Sequence, residues 1–171
     1  MKKLYFLLFC LISFASFGQM TTVLQESFET VGNGTRYTTQ VPEFSDGFGD
    51  YFTRTDGSNI TTSYLVSGGD GTFFFSAQDT DGDAQPAILT MTFTGINIAT
   101  YTNLTFAILA AEDDASDGNK DWDADTNVFV EVNIDGAGYV KVLQFSGGGA
   151  TNTASGLDAN FDGTADGTLL T

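Results

Sequence analysis

The chain has 171 residues, with 22 acids against six basic residues, no histidine and a single cysteine. A net charge of −16 repels polyanions, which argues against nucleic acid or anionic membrane as a partner. Without histidine, His-based triads and His-ligated zinc are excluded, and an apolar fraction of 42% is too high for a disordered acidic tail.

Residues 1–18 read as a secretory signal peptide. Lys2 and Lys3 precede an apolar run, and Ser16 and Gly18 suit a cleavage that leaves Gln19 first. The run ends near Phe17, short of the ~20 residues that a membrane span needs, so no membrane insertion is expected. Cys10 lies inside this segment, so residues 19–171 hold neither thiol nor disulfide. An exported domain of that kind draws its stability from core size or bound metal. It keeps four basic residues (Arg36, Arg54, Lys120, Lys141) against all 22 acids, a net charge of −18.

Val23–Glu29 reads as the first strand. Gly32–Asp56 is rich in Gly, Thr and Asp, with short strands expected at Tyr51–Thr55 and then at Thr62–Val66. Thr72–Gln78 puts Phe73, Phe75 and Ala77 on one face and runs into the acidic turn Asp79–Asp83. Ile88–Ile98 alternates through Met91 and Phe93, then changes parity at Gly95, the pattern of a β-bulge. Asn103–Ala111 alternates with Leu104, Phe106, Ile108 and Ala110 on one side. Val128–Ile134 does the same, and Asp135–Gly138 turns a hairpin into Tyr139–Phe145. No helical period of useful length appears. The predicted fold is all-β, an antiparallel β-sandwich of the jelly-roll type. Thr168–Thr171 reads as a strand cut off as it begins, so a missing closing strand and further domains of the same polypeptide are expected.

Between two apolar strands, Glu112–Asp125 carries seven carboxylates in fourteen residues, with one lysine. Like charges about 4 Å apart repel by roughly 4 kcal/mol in a partly shielded site, so the side chains either splay into solvent or gather round a cation. If successive strands alternate in direction, the connections 79–87, 112–127 and 146–167 share one rim. That rim would collect Asp79, Asp81 and Asp83; the seven acids Glu112, Asp113, Asp114, Asp117, Asp121, Asp123 and Asp125; and Asp158, Asp162 and Asp166, with Asn160 between them. Hard oxygen donors in that number suit calcium better than a transition metal. A solvated acidic rim is the alternative for each group.

Several stretches carry family likenesses. Asp158-Ala-Asn160-Phe-Asp162-Gly163, with Asp166 following, resembles the first nine positions of an EF-hand-like or dockerin-like calcium loop, although Leu169 stands where the twelfth-position acid is expected. ESFET near the mature start, FFFSAQDTDGD, ILAAEDD, DWDA and FDG together resemble the N-terminal jelly-roll modules of multidomain bacterial proteins exported by type IX secretion. The opening strand is also similar to calcium-bearing carbohydrate-binding jelly rolls. That likeness implies an early Glu, here Glu26 or Glu29, beside a structural ion.

Catalysis has little to stand on. Glu131 and Asp135 lack the close Glu–Asp–Glu run of jelly-roll glucanases, so no enzyme activity is expected. The leading expectation is a secreted, non-catalytic calcium-binding module at the cell surface or outside it, recognising extracellular polysaccharide. Trp122, Tyr51, Tyr64 and Tyr139 are its candidate ring faces for sugar, with Trp122 equally able to cap the rim. The alternative is a calcium-stabilised structural or adhesive spacer accompanying a catalytic domain.

Overall fold

The computed structural model describes residues 20–47, 49–60, 68–80, 85–112, 122, 126–149 and 155–166. The expected signal peptide and the expected strand Thr62–Val66 lie outside them. Among the described residues eight strands form, in chain order: β1 (Thr38–Thr39), β2 (Phe44–Ser45), β3 (Tyr51–Thr55), β4 (Phe74–Gln78), β5 (Met91–Thr92), β6 (Asn127–Asn133), β7 (Tyr139–Ser146) and β8 (Gly156–Leu157). They pair as β2-β3-β4, β6-β7-β8 and β1-β5, and every pairing between named strands is antiparallel. No helix occurs among the described residues. The all-β class is therefore realised, in an arrangement consistent with a sandwich, though these pairings do not trace a complete jelly roll.

The best-packed region surrounds β3. Its β-branched and aromatic sequence, YFTRT, suits a central strand between β2 and β4, and all of its residues except Arg54 are buried. Phe75 on β4 anchors an aromatic cluster, 4.8 Å from Phe52, 5.8 Å from Phe28 and 6.1 Å from Tyr37 between ring centroids. Tyr37 in turn meets Phe93 at 6.0 Å, which ties the flanks of the β1-β5 ribbon to the β2-β3-β4 sheet. Polar clamps surround this core. Glu43 accepts hydrogen bonds from Asn33 Nδ2 (2.9 Å), the Tyr37 hydroxyl (3.1 Å) and the Arg54 backbone N–H (3.0 Å). The Arg54 guanidinium lies 3.6 Å over the Phe73 ring and donates to the carbonyls of Phe28 and Glu29.

The second sheet is built on a hairpin. Asp135 and Gly136 have φ of 53° and 77°, and Ala137 N–H donates to Ile134 O at 3.0 Å. Two consecutive left-handed residues make the type I′ turn whose twist matches the strands on either side.

Three expected strands differ from what forms. Val23–Glu29 makes no strand, because the Glu26 side chain accepts the Phe28 N–H (2.7 Å) and Phe28 turns to φ 62°. Of Ile88–Ile98 only Met91–Thr92 pairs. Gly95 there, at φ 72°, turns the chain outside any ladder instead of bulging one. Asn103–Ala111 has no strand partner among the described residues, and its apolar side is exposed, with Leu104, Phe106 and Ile108 at 53%, 54% and 47%.

Candidate functional site

One end of the β6-β7-β8 sheet gathers a cluster of polar side chains, Asn127, Gln144, Ser146 and Asp158. Asn127 opens β6 opposite Ser146 at the end of β7, and Ser146 pairs with Gly156 of β8. Leaving β8, Asp158 donates its N–H to Gln144 O, and the following loop returns through Ala165 N–H to Gly147 O and Asp166 N–H to Leu157 O.

Asp158 is fully buried at the centre of this loop. Its Oδ1 accepts the N–H groups of Phe161 (2.7 Å) and Asp162 (3.3 Å). Its Oδ2 accepts Gly163 N–H (2.8 Å), Gln144 Nε2 (2.7 Å) and the Ser146 hydroxyl (3.0 Å). The same hydroxyl stands 2.6 Å from Asn127 Oδ1, but it has one proton, and the carboxylate is the stronger acceptor. Burial pushes the Asp158 carboxyl upward, yet these donors outweigh it and hold the group below its ordinary range. Phe161 and Gly163 adopt φ of 62° and 92°, which turns their N–H groups inward. Five donors saturate a carboxylate with about four lone-pair sites, so Asp158 is built as the loop's anchor.

The other loop acids sit on the surface. Asp166 Oδ2 accepts Ala159 N–H (3.0 Å) and Asn160 N–H (3.3 Å), while Asn160 Nδ2 reaches Asp162 Oδ2 (3.2 Å) and Asp166 Oδ1 (3.4 Å). The spacing read as a calcium loop thus does bring Asn160, Asp162 and Asp166 together around a buried first-position Asp. No group of three acids close enough to hold a metal ion occurs among the described residues.

Glu112 reaches the same end from a distant part of the sequence. Its Oε2 accepts both the backbone N–H (3.0 Å) and the hydroxyl (2.9 Å) of fully buried Ser155, just before β8. Its Oε1 is buried with no hydrogen-bond partner, alone in this among the side-chain atoms of the described residues. Leaving a buried carboxylate oxygen unpaired costs more than leaving a neutral acceptor so, and buried charges are ordinarily paired or bound to metal. The Glu112–Ser155 contact brings Glu112 beside the start of β8.

Asp79 follows β4, with φ of 44°. Asp81, Asp83, Asp113, Asp114, Asp121, Asp123, Asp125 and Tyr64 lie outside the described residues. Glu26 pairs with Arg36 at 2.6 Å, and that hydrogen bond, opposed by burial, lowers its carboxyl. Glu29 Oε1 accepts the N–H groups of Thr72 and Phe73, so both early acids have protein partners. Tyr51 is corrected as a ring face for ligand: only 2% of it is exposed and its hydroxyl donates to Gln78 Oε1 at 2.7 Å, which makes it core. Trp122 is half-buried and Tyr139 is 66% exposed. Reading the sequence missed Gln144 and Ser146, the side chains that hold Asp158. On an alternating strand they look like ordinary polar positions, and nothing marks them as facing a buried acid.

Among the described residues no helix is long and apolar enough to cross a membrane. Comparison with protein-family models, curated proteins and solved structures finds no match to this chain.

Proposed function

We propose that this chain is an exported, non-catalytic β-sandwich module that binds calcium at the end of its β6-β7-β8 sheet and carries a surface for extracellular polysaccharide. The observation that supports calcium is the orphaned Glu112 Oε1. It is a buried, negatively charged oxygen with no protein donor, at the head of a run of acids in the sequence. A hard oxygen donor in need of a positive partner fits calcium. Glu112 would hold the ion through Oε1 while Oε2 keeps Ser155, and exposed Asp162 and Asp166 would be available to a cation at the neighbouring loop. The ion would supply charge neutralisation and cross-linking, not chemistry. Among the described residues, Trp122 and Tyr139 are the ring candidates that keep accessible surface.

Thermal melting in EDTA and in millimolar calcium tests the metal. A site with a dissociation constant near ~10⁻⁴ M, at a hundredfold excess of calcium, gains about 2.7 kcal/mol, on the order of 5–10 °C for a domain of this size. Glu112→Gln keeps an acceptor for Ser155 but loses the charge, and should lose most of that gain. Equal midpoints in EDTA and calcium, or an equal rise from sodium chloride at matched ionic strength, would reject the ion. Pull-down on insoluble glycans, with Trp122→Ala alongside, tests the polysaccharide.

A further inference from the structure

We infer that a cleft between residues 22–24 and the 94–101 turn binds an uncharged glycan chain, an inference that rests on the proposed polysaccharide-binding role but places the site away from Trp122 and Tyr139. The cleft is open to solvent and has a volume of about 430 Å³. Binding sites for small ligands run to roughly 300–1,000 Å³, enough for one or two sugar rings.

Its lining has the right chemistry for a sugar and the wrong chemistry for an ion. Thr22, Thr94 and Thr100 contribute hydroxyls, Val23 and Ile96 contribute apolar surface, and Tyr101 contributes an aromatic ring. No lining residue is an acid or a base, on a chain whose net charge is −16. A charged ligand would find no counter-charge there, and an anionic one would also meet the repulsion of the whole molecule. A neutral sugar presents hydroxyls to pair with threonine side chains and a C–H face to lie against a ring.

Tyr101 is the side chain best placed to supply that ring. It is 40% exposed although it lines the cleft, so one part of it is packed and another is open. Its backbone is held by a closed turn, with Tyr101 N–H donating to Ile98 O (3.0 Å) and Ala99 N–H donating to Asn97 Oδ1 (3.1 Å). A wall fixed in advance loses less freedom on binding. Gly95, at φ 72°, turns the chain at the cleft, and a Cβ there would meet nothing within 4 Å, so room is left beside the turn.

The test is depletion binding of the full chain to cellulose, curdlan and chitin, with affinity electrophoresis in soluble xylan, and polygalacturonate and alginate as acidic polymers. Wild type should bind at least one neutral polymer and neither acidic one. Tyr101→Ala should weaken that binding at least about tenfold, whereas Tyr101→Phe, which keeps the ring, should stay within about twofold. Circular dichroism and melting matched to wild type establish that the variant is folded. Should Tyr101→Ala misfold, Thr94→Arg, at an exposed position, should block the cleft with the same loss. Neutral-polymer binding that survives both substitutions overturns the cleft and leaves the polysaccharide reading standing. Wild type that binds no polymer, or only acidic ones, overturns both.

Discussion

Glu43 provides the sharpest test of how the core is held. In Glu43→Ala the Tyr37 hydroxyl, Asn33 Nδ2 and the Arg54 N–H lose their shared acceptor. Asn33 Nδ2 retains Thr39 Oγ1 at 2.9 Å, so two donors are stranded, one on a tyrosine only 2% exposed and one in the backbone of β3. An unsatisfied buried donor costs about 1–3 kcal/mol, so two cost roughly 2–6 kcal/mol. At about 2–4 °C per kcal/mol this lowers the melting midpoint by on the order of 4–24 °C. Glu43→Gln should fall between wild type and Glu43→Ala, because the amide oxygen serves Tyr37 and Asn33 but the NH₂ opposes the Arg54 N–H. Urea unfolding with an unchanged slope would assign the difference to the native state. The same variants report on Tyr37, whose phenol is pushed up to about 12, first by burial and then by the Glu43 charge. With a raised folded value, the contribution of Tyr37 is complete below the ordinary phenol pKa of about 10 and disappears as pH rises through about 12. Ultraviolet titration should show Glu43→Gln bringing the phenol down while leaving it above its ordinary value, since burial remains. Loss of less than about 0.5 kcal/mol in Glu43→Ala would refute the reasoning, because that is the size of an ordinary surface substitution.

Three further outcomes are expected. Asp158, held below its ordinary range, contributes stability that is present above the usual carboxyl pKa of about 3.9 and lost as pH falls through its lower folded value. Asp158→Asn should therefore lower the urea midpoint at pH 7 and flatten its fall on the acid side. Gly71→Ala should destabilise by about 1–3 kcal/mol, since the residue sits at φ 110° and a Cβ would stand 2.2 Å from Glu29 Oε1. Gly69→Ala, with nothing within 4 Å, serves as its control in the same urea experiment. Phe52→Ala should cost roughly 3–5 kcal/mol by chemical denaturation, because its ring is 6% exposed and packs 4.8 Å from Phe75.

Local chemistry alone was enough for the elements whose signal is local. Tyr51–Thr55 forms where its β-branched and aromatic residues put it, the Asp135-Gly136 pair makes its turn, and the strands on either side form within one residue of expectation. The spacing from Asp158 to Asp166 was legible as an Asx- and Gly-rich loop, because such conformations are decided within a few residues, whereas the burial of Asp158 was not. Alternation in Asn103–Ala111 was equally clear but identifies a face, not a partner. Whether a strand forms depends on another backbone alongside it, and none of the described residues pairs with this one. Only tertiary structure decided that Gln144 and Ser146 face Asp158, that Tyr51 is core, and that Glu112 spans 43 residues to hold Ser155 with one oxygen and leave the other bare. Those contacts join segments remote in the chain, and a side chain's electrostatic surroundings exist only once such segments have met.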